Sequence, residues 1–288
     1  MTVEEAYSAL LKERLGVIKR TIDLWGEDNF YISYSGGKDS CVVDALVDMA
    51  LDNNIPRFFA DTGIELNLVR KFVYEKAKND KRIIIAKPET DIKKMLEEDG
   101  YPFKSKDHSQ KVDVYQTKGM IPAIENYLTK KSTGFYCPDI LRYQFTEDFQ
   151  LKISDKCCTR LKKEPIKRLE KEYNKSIPIL GLMREEKGRR IHAQCQVFFR
   201  GKLKSFSPLA LVTKDWEEWF IKEYDVKIPW VYYSPYYLER TGCKGCPFDK
   251  DLATSLMILD KHFPEEKKQC EIIWKPVYDE YRRIGYRL

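Results

Sequence analysis

Apolar residues recur at helical spacing from Ala6 through Leu10, Leu11, Leu15 and Ile18 to Ile22, and predict an amphipathic helix over about Val3 to Trp25. Short β-type runs then alternate with helical ones. Phe30–Tyr34, Arg57–Ala60 and Arg82–Ala86 read as strands; Val42–Leu51, the stretch from about Leu66 to Ala77 and a short piece near Ile92–Leu96 read as helices. Such alternation implies βαβ units on a parallel sheet, and strands this short and continuously apolar suit burial on both faces. Between Gly100 and Gly134 the periodicity weakens and Lys, Ser and Asp accumulate, which suggests a surface insertion with a short helix at Ile121–Leu128. After Cys158 come a helix to about Tyr173, a core strand at Ile177–Gly181, and a hairpin whose arms Gln196–Phe199 and Leu203–Phe206 flank Arg200-Gly201-Lys202. A helix around Asp215–Tyr224, an aromatic loop and one or two terminal helices complete the pattern. The expected organisation is one α/β core over 1–240, with an insert at about 101–146, and a cysteine-bearing C-terminal extension over 241–288 packed on it.

Composition narrows the class. A third of the residues are charged, yet 18 Tyr, 14 Phe and 5 Trp exclude a disordered chain. The 51 Lys and Arg against 45 Asp and Glu leave a formal charge of +6, which permits an anionic ligand without demanding one. No apolar run approaches the roughly 18 residues of a membrane span. The acidic start, Met1 to Glu5, lacks the apolar stretch of a secretory signal. The expected location is the reducing cytoplasm, with no membrane partner. There, eight cysteines point to metal or redox chemistry rather than bridges.

The first piece of chemistry lies between the first strand and its helix: Ser35-Gly36-Gly37-Lys38-Asp39-Ser40. Two glycines allow a tight turn that presents N–H groups to phosphate oxygens, the helix N-terminus adds its positive end, and Lys38 adds a charge. The crevice beyond the carboxyl ends of parallel strands is where open α/β sheets bind ligands. A Walker A loop needs G-x-x-x-x-G-K-[ST], which is absent, so cleavage of the terminal phosphate is disfavoured. The hexapeptide resembles the SGGxDS loop of the PP-loop ATP pyrophosphatase superfamily. That resemblance implies a Rossmann-like, adenine nucleotide alpha hydrolase-like core that splits ATP between its α- and β-phosphates. The nucleotide-binding set it implies is Ser33, Ser35, Gly36, Gly37, Lys38, Asp39 and Ser40, with Asp61, Gly63 and Arg160 added below.

The second piece is a set of thiols. Cys157-Cys158 and Cys243-Lys244-Gly245-Cys246 are far apart, with 84 residues between Cys158 and Cys243. Alone, the adjacent pair reads as two core cysteines and the C-x-x-C as half a zinc ribbon or a redox pair. Together, with no histidine nearby, four thiolates favour an iron–sulfur cluster over zinc. The context Cys157-Cys158-Thr159-Arg160-Leu161-Lys162-Lys163-Glu164-Pro165-Ile166 resembles the CC-xxx-K-xx-P-L segment of adenylylsulfate reductases, the cluster-bearing branch of the phosphoadenylylsulfate reductase family. Ala60-Asp61-Thr62-Gly63, Gly181–Glu186, Ser207–Trp216 and Thr241–Cys246 are similar to further segments of that family, in order. The resemblance implies a [4Fe–4S] cluster on Cys157, Cys158, Cys243 and Cys246, with Lys162 beside it. It also implies oxyanion contacts from Arg160, Arg184 and Lys38, and a role for Asp61 with Mg²⁺ or a nucleotide hydroxyl. The alternative for Asp61 is capping of a helix that starts near Thr62. Lys38, Asp39, Lys162 and Arg184 form the expected catalytic set.

Two departures set the direction. The C-terminal E-C-G-[LI]-H segment that carries the reductase nucleophile is absent. Cys270, the nearest substitute, has helical surroundings. The phosphate loop, often degenerate in the reductases, is complete here. Together these features favour an enzyme that consumes ATP, adenylates an acceptor and inserts sulfur, with ATP, Mg²⁺ and the cluster as cofactors and a sulfur donor protein as partner. The alternatives are a reductase of adenylylsulfate or phosphoadenylylsulfate using Cys270 or an external thioredoxin-like thiol, and a non-catalytic nucleotide- and cluster-binding regulator. The aromatic run from Trp216 to Tyr237 favours packing over base stacking. A nucleic-acid acceptor rests on Lys104, Lys106, Lys111, Lys202 and Lys187-Gly188-Arg189-Arg190, for which solvated loops are the default.

Overall fold

The computed structural model describes residues 2–130, 136–185, 191–239 and 241–288. The basic stretch 187–190 and Glu186, the last residue of the Gly181–Glu186 segment, lie outside them. The chain divides into two compact units: 1–61, 67–87 and 165–241 form the first, and 62–66, 88–164 and 242–288 the second. The insert expected at 101–146 therefore groups with the C-terminal residues.

The first unit is α/β. Its strands are β1 (Phe30–Ser33), β2 (Arg57–Ala60), β3 (Ile83–Ala86), β4 (Ile177–Ile179), β5 (Gln196–Phe199) and β6 (Lys202–Phe206), in the order β3-β2-β1-β4-β6-β5. All pairings are parallel except β5 with β6, the expected hairpin. Alternation along each strand supplies both faces. Phe30, Ile32 and Phe59 enter one large core with α1 (Val3–Trp25), α2 (Lys38–Ala50) and α8 (Lys214–Glu223). Tyr31 and Phe58 stack at 4.7 Å on the other face, beneath Leu169 of α7 (Glu164–Glu172). Helix α3 (Asn67–Asn79) joins β2 to β3.

Helix α2 begins at Lys38, not Val42, because Gly37 occupies its N-cap position and the first turn is polar. The loop's Lys-Asp-Ser is thus the first turn of the helix. Strand order reverses at β1, which has β2 on one side and β4 on the other. That makes the carboxyl end of β1 the switch point of the sheet.

The second unit is helical: α4 (Ile92–Asp99), α5 (Lys106–Lys118), α6 (Pro122–Thr129), a π-helical turn over Thr159–Lys163, and α9 (Leu252–His262), α10 (Pro264–Ile273) and α11 (Lys275–Arg283). Helix α5 was not expected, and three terminal helices replace the expected one or two. Phe103 packs edge-on against Tyr281 at 4.5 Å, and His108 lies buried between Tyr127 Oη at 2.9 Å and Gln144 Oε1 at 2.7 Å.

Candidate functional site: a phosphate loop and a thiol group

The phosphate loop is fixed by its own residues. Gly36 has φ +69°, and a Cβ there would lie 2.4 Å from Val73 Cγ2 on α3, so only glycine serves. The Gly37 amide donates to Ser35 Oγ (3.2 Å), Ser40 Oγ donates to the Gly37 carbonyl (2.8 Å), and the two serine hydroxyls meet at 3.1 Å. Across the switch point, Gly181 follows β4. A Cβ there would come within 3.0 Å of the Asp39 carbonyl, so its lack of a side chain lets the two segments approach.

A cleft of about 210 Å³ opens between them, lined by Ser33, Ser35, Lys38, Asp39, Gly181 and Tyr232 among others. Of the expected loop residues, Ser33, Ser35, Gly37, Lys38, Asp39 and Ser40 line it, and Gly181 and Leu182 join them. Orphan amides at the start of a helix and a lysine at the rim suit an anion with several oxygens.

Two contributors escaped sequence reasoning. Tyr232, grouped with the aromatic run, accepts a hydrogen bond from the Lys38 amide at 3.1 Å and meets Thr241 Oγ1 at 2.8 Å. Burial pushes its phenol up to about 12. Glu217 of α8 is fully buried with Oε2 3.1 Å from Lys38 Nζ. Burial, and then the charge of Asp39, push its carboxyl up to about 7 against the opposing pull of Lys38. No signal distinguished Glu217 from a solvated face.

Other expected contacts lie elsewhere. Asp61 is buried and accepts from Arg70 Nε and Nη2, both at 2.8 Å, and from Tyr74 Oη at 2.6 Å. It does not cap a helix at Thr62, since α3 starts at Asn67. Arg184 is exposed and donates through Nε to the Ala193 carbonyl at 2.6 Å. Gly63 is an exposed positive-φ glycine of the second unit. Arg160, also in that unit, faces Asp99 at 3.2 Å and Glu164 at 3.7 Å. In the aromatic run, Trp216 and Phe220 stack at 5.2 Å in the core, whereas Trp230 and Tyr237 are exposed.

The thiol group belongs wholly to the second unit. All eight cysteines are free thiols. Cys157 is buried, and Cys158, Cys243 and Cys246 are half-buried. Their side chains interact electrostatically with one another: a hydrogen bond to Cys158 and burial raise the Cys157 thiol, with Cys246 and Cys243 adding. The same hydrogen bond, helped by Lys106 and Lys162, lowers Cys158 to about 6 despite burial. Burial raises Cys243 and Cys246. Lys162 is drawn in: burial opposes its charge, but Cys243, Glu65 and Cys158 outweigh this and hold its pKa above the ordinary value. Glu65 lies 3.8 Å from Lys162 Nζ and pairs with Cys243 through an isolated backbone bridge.

The C-x-x-C loop is held from behind. Trp274 Nε1 donates to the Lys244 carbonyl at 3.1 Å, Tyr278 to the Gly245 carbonyl and Tyr281 to the Pro247 carbonyl at 3.0 Å. Lys244 itself is buried on Glu266 and Gln269. Among the described residues no three His, Cys, Asp or Glu side chains are grouped as a single metal ion would need. The donor set is four mutually interacting thiols with no histidine, which fits a cluster with all-cysteine ligation. Cys270 is fully buried against Gly245, and burial pushes its thiol up to about 12. That is the opposite of what an attacking thiolate needs.

Among the described residues no helix is long and apolar enough to cross a membrane. No curated protein matches the chain. Among solved structures, a phosphoadenylyl-sulfate reductase from Candida auris in its phosphate complex is 15% identical, covering 80% of this chain and 91% of that one at a TM-score of 0.45. The U34-tRNA thiolase NcsA from Methanococcus maripaludis, with its [4Fe-4S] cluster, is 14% identical over 96% of this chain and 80% of that one, at a TM-score of 0.39. Residues 29–134, which include β1, the glycine loop, α2, β2 and β3, match the phosphoadenosine phosphosulfate reductase domain.

Proposed function

We propose that the protein is a nucleotide-binding enzyme of sulfur metabolism that cleaves ATP to AMP and pyrophosphate, adenylating an acceptor oxygen that a sulfur nucleophile then displaces. The observation that carries this reading is the intact Ser35–Ser40 loop. It forms the N-terminus of α2 at the sheet's switch point, in one cleft with Lys38 and the Gly181 segment. The domain match supports the family. The triphosphate would lie on the first-turn amides of α2 with Ser35 and Ser40, and Lys38 would offset charge gathering on the departing pyrophosphate. The acceptor oxygen bonds to the α-phosphorus as the bond to the bridging oxygen breaks. Magnesium, when bound, lowers the phosphates' repulsion toward that attack. Arg184 is the proposed further oxyanion contact of this unit.

In the second unit, Cys157, Cys158, Cys243 and Cys246 would hold a [4Fe–4S] cluster, with Lys106 and Lys162 offsetting thiolate charge. When bound, such a cluster supplies sulfur ligation or electron transfer. The buried Cys270 disfavours the rival in which that residue reduces an activated sulfate.

Incubating the anaerobically purified protein with [α-³²P]ATP, Mg²⁺ and candidate acceptors tests the nucleotide half: AMP should accumulate, and its absence with every acceptor counts against the reading. Iron content and absorption of wild type beside Cys243→Ser test the other half. An iron-free wild type with stoichiometric zinc would overturn the cluster assignment.

A further inference from the structure

Glu217 is a fully buried carboxylate whose two oxygens accept no hydrogen bond among the described residues. Its close contact is an ion pair with Lys38 Nζ, 3.1 Å from Oε2, and the lysine side chain is only 17% exposed. Charged groups facing Glu217 are Lys38 and Asp39 at the start of α2 and Glu218 on its own helix. The lysine of the phosphate loop is therefore held by a protein carboxylate that has no other cationic partner among the described residues.

We propose that Glu217 is the resting counter-ion of Lys38, that a nucleotide phosphate takes its place, and that the exchange transfers one proton from solvent to a Glu217 oxygen. This rests on the reading of the loop as a nucleotide site. An ammonium turned toward phosphate leaves Glu217 buried and uncompensated, and a carboxylate in that state gives up its charge by protonation. The carboxyl's position near neutrality means little is needed to drive the uptake. Glu217 is thus a positioning residue. It keeps Lys38 pointed into the protein until an anion arrives, and it couples binding to pH.

The test is calorimetric titration of the full chain with Mg²⁺ and α,β-methylene-ATP near pH 8, in two buffers of different ionisation enthalpy. At that pH the nucleotide's own terminal phosphate is fully ionised and adds no proton. Wild type should take up about one proton more than Glu217→Gln, which should bind at least as tightly. Equal proton counts while both proteins bind overturn the exchange and leave the nucleotide reading intact. No binding by either overturns the nucleotide reading and the exchange with it. If the variant does not fold, wild type alone decides. Its affinity should fall between about pH 7 and pH 9, by up to roughly tenfold per unit, and a flat profile overturns the proposal.

Discussion

The Tyr232 hydroxyl accepts a hydrogen bond from the Lys38 amide at 3.1 Å, and so occupies one of the helix-terminal donors that a phosphate would use. On the proposed reading, a phosphate has to displace that phenol to reach the amide. Tyr232→Phe should cost the ligand-free protein about 1 kcal/mol by orphaning that amide. It should also enlarge the stabilisation given by Mg-ATP. Melting curves with and without nucleotide measure both, and a variant stabilised less by nucleotide than wild type would sink the competition.

Gly36 should tolerate nothing larger. Alanine there meets Val73 Cγ2 at 2.4 Å and Val69 Cγ1 at 3.1 Å, at a φ of +69°. Gly36→Ala should destabilise by about 2–4 kcal/mol, combining left-handed backbone with overpacking. Adding Val73→Ala should restore only the steric share. Full restoration in urea unfolding would show that the backbone conformation costs nothing.

His108 should make the second unit acid-sensitive. Burial, opposed by the Gln144 hydrogen bond and aided by Lys104 and Arg287, lowers it to about 4. A folded pKa below the unfolded value near 6.5 means the unfolded chain takes up the proton first. The stability is therefore whole above about pH 6.5 and is lost as pH falls toward 4, up to about 3 kcal/mol. Unfolding of His108→Gln between those limits should show a shallower decline than wild type; parallel declines would refute the assignment.

Cys270→Ala should leave ATP cleavage unchanged and lower stability by about 1–2 kcal/mol, because the thiol fills space against Gly245 rather than facing a substrate. Sulfite release from adenylylsulfate or phosphoadenylylsulfate by wild type, lost in the variant with unchanged melting, would revive the reductase alternative.

What could be read in the sequence tracks how local the signal is. The glycine loop needed only six adjacent residues, and β1, β2 and β3 announce themselves because both faces are apolar. Helix α5 was hidden because two of its three buried residues, His108 and Ser109, are polar, so no apolar period marks it. The breaks before α10 and α11 carried a signal in Pro264 and Pro276, each in a helix's first turn, that was not used. Glu217 stands among Lys214, Asp215 and Glu218 and looks like any solvated acid. Only the burial of its neighbours Trp216 and Phe220 turns that position inward. The four thiols could be grouped by residue type, whereas Lys106 and Glu65 join them through tertiary placement alone.

The strand order also bears on assembly. β1, β2 and β3 pair between near neighbours in sequence, so half the sheet can form from local contacts. β4 reaches β1 only after the stretch 88–164 has been made. The Lys38 amide and the Tyr232 hydroxyl are 194 positions apart. The cleft is thus the last part of this unit to close as the chain leaves the ribosome. A nascent chain stalled before β4 carries the complete glycine loop with nothing opposite it to hold an anion.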